Sequence, residues 1–512
     1  MANEIKSLKR IIDRYKYLNE RKIGFPHIGN RKDGNSFSTE VNKVASGFEL
    51  YDNLISSLNN DYTKEINLTS GNPMNHLPFK PAIKQIEKIL KGTELNKYPY
   101  SEGDDRVRIE LLKYIEQEGF INNNPYNYND IDDKGLSIHN ITFTVSTSHA
   151  FGLILDIIAR PYDIVLMTGP NYGLFSFKPE RINAKVEIIA LEEEDNYLIN
   201  PDKLSKKIKE LNKDLENKYR DKLDYIPKVV AFVNGNPCNP TGKVMGENEI
   251  NILEGIGSVC KELGVFIIDD LVYRDLTYDK NNIAKPIGTI PGMFKNTISL
   301  FGLSKAYGLA GLRAGFVVAD EIIIRELINR IFQELDAVPS IIGEALKGAY
   351  NTSMYRNKKY KKYFNELNDE YIFRYNILKA FVNGIDSINN RKLKNKVYKY
   401  IKNNIKDKSN LNILKNGITD VKIKNTLEPQ SGFFVILDFT SIKGRKYKGN
   451  SILTEEDLLN FFYREIKLRF IIGKSMLWPN EAELIGRVTF AKERIDIINY
   501  CVAINNALNK LD

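Results

Sequence analysis

Residues 300–316 read LFGLSKAYGLAGLRAGF, and the predicted fold is built outward from this stretch. It begins inside a largely apolar run, 297–301, and leads through a short turn to Lys305. A glycine-rich segment follows, and a second apolar run covers 315–319. Runs that are apolar on both faces are typical of strands buried in a sheet covered by helices. A lysine at the end of one strand is usually solvated, so the meaning of Lys305 depends on the segments around it.

Five more runs of the same kind precede this stretch, and helical patterns separate them. This alternation predicts a mostly parallel sheet with helices on its faces. The helical patterns include residues 104–117 and the highly charged segment 201–219. Ligands bind at the carboxyl ends of strands in such sheets, so we expect the chemistry in the loops that follow them. The five runs are 141–145, 164–167, 186–190, 229–233 and 265–268.

Composition is that of a globular protein and excludes several function classes. The 512 residues are 42% hydrophobic, and 74 basic residues against 65 acidic ones give a net charge of +9. The charge is spread out and lacks an aromatic-basic motif, so we expect no nucleic-acid partner. Three cysteines without paired spacing favour a reducing, cytoplasmic location, and the four histidines lack the spacing of a metal site. No apolar run is long enough for a signal peptide or a membrane span.

Two other polar motifs follow predicted strands. Residues 232–243, FVNGNPCNPTGK, form a rigid turn rich in amide side chains. Residues 265–276, VFIIDDLVYRDL, place two acids at the end of an apolar run, with Tyr273 three residues after Asp270. A buried carboxylate is costly unless a cation accompanies it. Either motif alone is as easily explained by an ordinary loop or surface acid.

The three motifs together resemble the fold type I enzymes that use pyridoxal 5'-phosphate (PLP), specifically class I/II aminotransferases of the aspartate aminotransferase kind. The order NPxNPTG, DxxY and SKxxGLxGxRxG carries the resemblance, which extends from about residue 71 to residue 487. It implies an α/β fold: a large PLP-binding domain with a mostly parallel (mixed) seven-stranded sheet, and a smaller α+β domain from the N- and C-terminal parts. The expected divisions are 1–95 for the N-terminal arm and part of the small domain, 96–330 for the large domain, and 331–512 for the C-terminal small domain.

The resemblance also implies roles for individual residues. Lys305 would hold PLP as a Schiff base and then move the α-proton of the substrate. Asp270 would keep the pyridine nitrogen protonated, so that the ring accepts electrons from Cα. Asn239 and Tyr273 would donate hydrogen bonds to the phenolic oxygen of the ring. The remaining cofactor contacts would be Ser146, Thr147, Ser148 and Arg313 at the phosphate, Tyr172 stacked on the ring, and Ser304 beside the lysine.

Substrate contacts would come from distant parts of the chain. Gly71 resembles the residue whose backbone amide contacts the substrate carboxylate. Arg487 resembles the arginine that binds the same carboxylate through two hydrogen bonds. Tyr98 would reach the cofactor phosphate of a partner subunit, so we expect a homodimer with shared sites. One departure is Gly302, because the family often has a serine or threonine three residues before the lysine.

Three functions remain open at this point. The favoured one is transfer of an amino group between an L-amino acid and a 2-oxo acid. A lyase or decarboxylase with the same cofactor is the second, since one fold hosts several reactions. A non-catalytic regulator that kept the fold is the third and is disfavoured by the complete motif set. One subgroup of aspartate aminotransferases binds the side-chain carboxylate with a second arginine, at a position that corresponds to about 338–340 here. No arginine lies there, so a dicarboxylic amino donor has no support, and aromatic and aliphatic donors stay open.

Overall fold

The central feature is a seven-stranded sheet that contains every strand expected between residues 141 and 319. The computed structural model describes residues 39–57, 65–73, 76–125, 131–351, 358–424 and 428–512. The sheet order is β2-β8-β7-β6-β5-β3-β4. Its strands are β2 Ile141–Thr144, β3 Ile164–Gly169, β4 Lys185–Ala190, β5 Val229–Gly235, β6 Phe266–Asp270, β7 Thr297–Gly302 and β8 Gly315–Val318.

The sheet is mixed in the expected way. Strands β4, β3, β5, β6 and β7 pair in parallel, whereas β8 pairs antiparallel with both β7 and β2. Every residue of β2, β3, β7 and β8 is buried, which explains why these runs lack polar alternation. The predicted α/β class with a mostly parallel seven-stranded sheet is therefore confirmed.

Helices cover both faces of this sheet and continue into the rest of the chain. Their bounds are α1 Thr39–Ser57, α2 Lys80–Lys91, α3 Asp105–Gln117, α4 Ser146–Ile158, α5 Phe177–Arg181, α6 Pro201–Tyr219, α7 Ile250–Glu262, α8 Glu321–Leu335, α9 Ser340–Tyr350, α10 Lys358–Val382, α11 Arg391–Asn404, α12 Ile413–Asn416, α13 Glu455–Ile466 and α14 Arg494–Leu508.

Two predicted helices show how local chemistry sets their ends. The side chain of Asp104 accepts a hydrogen bond from the backbone N–H of Arg106, which caps the start of α3. Asn200 caps α6 in the same way, and Pro201 occupies its first turn. Helix α6 is charged as expected, yet its buried residues share one face that packs on the body of the protein. Those residues are Leu204, Ile208, Leu215 and Tyr219.

A smaller antiparallel sheet is built from the C-terminal part of the chain. Its order is β14-β15-β10-β9, and its central strand pair joins Arg487 to Ile436 in register. The N-terminal part joins this region through β1, which pairs in parallel with β13. Domain boundaries near residues 95 and 330 stay predictions. The strands outside the large sheet are β1 Ile66–Asn67, β9 Lys422–Ile423, β10 Phe434–Asp438, β11 Lys446–Tyr447, β12 Asn450–Ser451, β13 Leu468–Arg469, β14 Ile471–Ile472 and β15 Ile485–Thr489.

The lysine- and asparagine-rich stretch after residue 389 contains helices α11 and α12. Helix α11 buries Val397 and Ile401 against its neighbours, and it packs on α10. Within the described ranges, no helix combines the length and apolarity needed to cross a membrane. The expectation that no signal peptide precedes the fold concerns residues 1–38, which lie outside the described residues.

Candidate active site

One edge of the large sheet collects the polar motifs. The loops after β5 and β7 and the last residue of β6 bring Asn239, Lys305 and Asp270 to this edge, because the three strands are parallel. Strand β8 runs the other way, so its beginning, just after Arg313, lies at the same edge. The antiparallel strand is thus what adds an arginine to a site otherwise built from strand ends.

The Lys305 amine lies inside a cavity of about 350 Å³. Its Nζ donates a hydrogen bond of 2.8 Å to the carbonyl oxygen of Gly71 and lies 5.8 Å from the ring centre of Tyr273. Burial lowers the pKa of Lys305 to about 8, and the nearby Arg487 and Arg313 charges act in the same direction. About a tenth of this amine is therefore neutral, and nucleophilic, at pH 7, far more than for an ordinary lysine.

The two adjacent aspartates at the end of β6 point to opposite faces of the sheet, as neighbouring strand residues do. Asp269 faces away from the cavity and accepts hydrogen bonds from Asn234 Nδ2 at 2.8 Å and from the Ile287 N–H at 2.9 Å. Asp270 lines the cavity and accepts one from the Val272 N–H at 3.2 Å. Burial raises the pKa of Asp270 to about 6, while the charge of Lys305 opposes this rise. Only Asp270 can serve a ligand in the cavity.

An anion-binding cradle forms where β8 meets the start of α4. Arg313 Nη2 donates to Ser146 Oγ at 2.9 Å, and Ser146, Thr147 and Ser148 all line the cavity. Gly315 permits this approach, because a Cβ there would lie 3.1 Å from the backbone nitrogen of Thr147. The first N–H groups of a helix and its dipole favour an anion. Among the described residues, no carboxylate forms a salt bridge with Arg313, so the cradle offers its charge to a ligand.

The arginine on the small sheet closes the other end of the cavity. Arg487 is 7% exposed, with Nη1 donating to Asn239 Oδ1 at 3.1 Å and Nη2 donating to the Thr69 carbonyl oxygen at 2.8 Å. Its guanidinium carbon lies 4.0 Å from the ring centre of Phe434. These contacts fix a planar fork of donors inside the cavity, which suits bidentate binding of a carboxylate.

Two tyrosines and a serine complete the predicted set within one chain. Tyr172 follows the loop after β3 and lines the cavity, as do Tyr273 and Ser304. Burial raises the pKa of both phenols, so their hydroxyl groups stay protonated and can donate hydrogen bonds. Gly71 belongs to the same lining, and a Cβ there would lie 3.3 Å from Lys305 Nζ, so a side chain would press on the amine.

Tyr98 is the one predicted site residue that lies apart from the cavity of its own chain. Its side chain is 95% exposed on the surface, close in sequence to the exposed Tyr100.

Gly302, where the family often has a serine or threonine, lies beside the anion-binding cradle. A Cβ at Gly302 would lie 3.3 Å from the Thr147 methyl group, which fills the space that a larger residue would need.

Several lining residues were not found from sequence. Phe48 comes from α1, Asn171 from the loop after β3, and Thr69 from the segment after β1. Phe434 comes from β10, Ile471 from β14, and Met476 from the turn after β14. None of them carries a titratable group or belongs to a spaced motif, so the only available signal was the amphipathic pattern of their elements.

The family comparison fits this geometry. The family model described as "Aminotransferase class I and II" matches residues 63–458. The chain belongs to this family. The resemblance read from the three motifs is thereby confirmed. Arg487 lies beyond the matched residues, so the argument for its role rests on its geometry in the cavity.

Similar proteins include enzymes with different substrates. An aspartate aminotransferase of Musicola paradisiaca is 29% identical over 193 residues, which are 37% of this chain and 42% of that protein. A histidinol-phosphate aminotransferase of Thermoanaerobacter sp. is 30% identical over 257 residues, 49% of this chain and 59% of that protein. The chain thus spans about half the length of these curated relatives. An aspartate aminotransferase structure from Rhizobium meliloti has a TM-score of 0.69 at 14% identity, covering 94% of this chain and 100% of that one, and shows the same fold.

Proposed function

We propose that this protein is a PLP-dependent aminotransferase that moves an amino group between an L-amino acid and a 2-oxo acid. The observation that carries the proposal is the presence of four charged groups in one cavity: the Lys305 amine, the Asp270 carboxylate and the guanidinium groups of Arg313 and Arg487. Their charges suit a cofactor phosphate and a substrate carboxylate bound in the same cavity.

The residues present fit PLP. Arg313, Ser146 and the start of α4 would hold its phosphate, Lys305 would hold it covalently, and Asp270 would face its ring nitrogen. When bound, PLP supplies an aldehyde carbon for amino groups and a cationic ring that stabilises negative charge at the substrate Cα. Asp270 would keep a proton on that nitrogen, because an anionic carboxylate favours a cationic neighbour.

The Lys305 amine can form a covalent bond with the cofactor and can also transfer protons. Its lowered pKa, about 8, keeps part of it neutral, so Nζ can accept the proton leaving the substrate Cα and return it elsewhere. The Gly71 carbonyl, which accepts from Nζ, would keep the freed amine oriented within the cavity. A base whose pKa lies near the working pH is the most effective kind.

Arg487 would bind the α-carboxylate of the substrate. Its fork is already oriented by Asn239, Thr69 and the ring of Phe434, so little freedom is lost on binding. Binding the carboxylate at this end fixes where the substrate Cα lies relative to Nζ. Orientation of this kind accounts for a large part of many enzymatic rate accelerations.

A spectral experiment tests the proposal. The PLP-loaded protein should absorb as a lysine-bound cofactor, and the correct amino acid should bleach that band while a 2-oxo acid restores it. Lys305→Ala should abolish turnover, whereas Lys285→Ala, at a lysine that pairs with Glu247 away from the cavity, should not. Turnover by Lys305→Ala at the wild-type rate would overturn the assignment.

The second function, a PLP-dependent lyase or decarboxylase, is an outcome of the same experiment. Alanine formed from aspartate without any 2-oxo acid would identify decarboxylation. A protein that takes up no cofactor and changes no amino acid would identify the non-catalytic alternative. A cytoplasmic location, expected from the three unpaired cysteines, stays a prediction.

We also propose a homodimer in which Tyr98 contacts the cofactor phosphate of the partner chain. The proposal is supported by the exposure of Tyr98 and of other large apolar side chains in the same part of the sequence, residues 77–100, since large exposed apolar groups can mark interfaces. These are Leu77 at 72%, Leu90 at 58%, Leu95 at 47% and Tyr100 at 76% exposed.

Subunit mixing tests the shared site. A hybrid of Tyr98→Ala and Lys305→Ala chains contains one site with both residues intact, so its activity should exceed the mean of the two parent variants. A protein that stays monomeric in light scattering, or a hybrid no more active than that mean, would contradict the proposal.

A further inference from the structure

One wall of the cavity is apolar, and its side chains carry no charged group that could bind the cofactor phosphate or the α-carboxylate; Phe434 takes part only through its contact with Arg487. Its side chains come from α1, from the segment after β3, from β10, and from β14 with the turn that follows it. We call this set the apolar wall: Phe48, Leu174, Phe175, Phe434, Ile471 and Met476. All except Phe48 and Leu174 are at most 7% exposed.

The charged groups of the cavity already have other tasks. Its lining has four of them among the described residues, Asp270, Lys305, Arg313 and Arg487. The two basic residues nearest in sequence to the apolar wall, Arg469 and Lys474, form ion pairs with Glu65 and Glu456. Among the described residues, no cation of the cavity is left for a second carboxylate on the substrate.

The helix α1 is held firmly against this wall. Val44 is fully buried, and a Cβ at Gly47 would lie 2.0 Å from Ser475 Oγ and 3.2 Å from Ser475 Cβ, so a larger residue there would force Ser475 to move. On the other side of the same turn, a Cβ at Gly173 would lie 2.1 Å from the Ser475 carbonyl oxygen and 3.1 Å from a methyl group of Val44. Gly47 and Gly173 thus let α1, the segment after β3 and the turn after β14 pack together. This contact places Phe48 at the edge of the cavity.

We propose that the substrate side-chain subsite accepts an uncharged, apolar amino acid, aliphatic or aromatic, and that Phe48 determines this specificity. The inference rests on the proposed aminotransferase function and names its substrate class. An apolar side chain gains free energy by leaving water for the apolar wall. A second carboxylate would lose its hydration against the apolar wall, where the described residues of the same chain offer it no cation, so we expect aspartate and glutamate to be poor substrates.

Two readouts test the substrate class in the wild-type, PLP-loaded protein. Calorimetry with two unreactive acids, 3-phenylpropionate and succinate, should give at least about tenfold tighter binding of the former. Single-turnover kinetics should give phenylalanine or leucine a kcat/KM at least about tenfold above that of aspartate or glutamate. Equal or reversed preference in either readout would overturn the inference.

The same design separates the inference from the proposed function. If no amino acid reacts although the cofactor is bound through Lys305, the aminotransferase proposal fails, while calorimetry still decides whether the wall prefers an apolar acid. If aspartate is the best donor, the aminotransferase proposal stands and the inference fails.

Phe48 itself is tested by a pair of charge insertions on α1. Phe48→Arg should shift the phenylpropionate-to-succinate affinity ratio towards succinate by about tenfold or more, because it supplies the missing cation. Asn42→Arg adds the same charge at an exposed position of the helix and should leave the ratio unchanged. An equal shift in both variants would overturn the role of Phe48.

A third variant covers the case in which Phe48→Arg does not fold. Phe48→Ala should weaken 3-phenylpropionate binding by about tenfold and leave succinate binding within about twofold. Unchanged affinity for both acids in Phe48→Ala would equally overturn the role of Phe48.

Discussion

Replacement of Arg487 by lysine tests how the substrate is oriented. Lysine keeps the positive charge but loses the planar fork, so at most one of two hydrogen bonds to the α-carboxylate can form. A hydrogen bond that involves charged groups contributes about 1.5–3 kcal/mol. Because about 1.4 kcal/mol corresponds to a factor of ten, Arg487→Lys should lower kcat/KM by roughly ten- to 150-fold. The lysine also cannot reach Asn239 and Thr69 at once as Arg487 does, at 3.1 and 2.8 Å.

The assay is the single-turnover half-reaction with the preferred amino acid, followed by the absorbance of the cofactor. Cofactor affinity should not change, because Arg487 lies at the carboxylate end of the cavity. Arg464→Lys, an exposed arginine on α13, is the matched control and should behave as wild type. A loss of less than about twofold in Arg487→Lys, or an equal loss in the control, would refute the assignment of the carboxylate site.

Three further predictions follow from the site. Asp270→Asn should lower kcat by about a hundredfold or more, because a neutral amide no longer favours a cationic ring nitrogen. Asp269→Asn, on the opposite face of the sheet, should keep kcat within about threefold, and equal losses in steady-state assays would contradict this prediction. The rate at which the cofactor-free protein binds PLP, measured by stopped-flow absorbance, should rise with pH as the Lys305 amine loses its proton and level off above about pH 8. A rate that continues to rise beyond pH 10 would indicate an ordinary lysine and contradict this prediction. Gly173→Ala should lower the free energy of unfolding by about 1–3 kcal/mol, because its methyl group would lie 2.1 Å from a carbonyl oxygen; Gly311→Ala, with no atom within 4 Å, should change it by less than about 0.5 kcal/mol in urea titrations.

The sequence predicted the large sheet well because its strands are buried on both faces. Residues 164–167 and 297–301, for example, lack polar alternation and stand out from the helices between them, and the strands extend only one or two residues further, to Gly169 and Gly302. The ends of strands are harder to predict, because polar residues there are buried by contacts that only the folded chain supplies. Asp269 and Asp270 belong to the end of β6 rather than to the loop after it.

The cavity could be predicted only in part. Residues with unusual chemistry in spaced motifs, such as Lys305 and Asp270, can be recognised when the motifs are read together. The link between Arg487 and Asn239 joins two sheets, and the sequence offers no pairing signal for it. Phe48 is an ordinary apolar residue of an amphipathic helix, and its contact with the cavity depends on how closely α1 can pack at Gly47.

The proposed function depends above all on which lysine binds the cofactor. The PLP-loaded protein can be reduced with borohydride, digested, and its modified peptide sequenced by mass spectrometry. We expect the pyridoxyl group on Lys305, in the peptide that contains Gly302 and Ser304. Labelling of another lysine, such as Lys243 or Lys474, or no stable label at all, would contradict it.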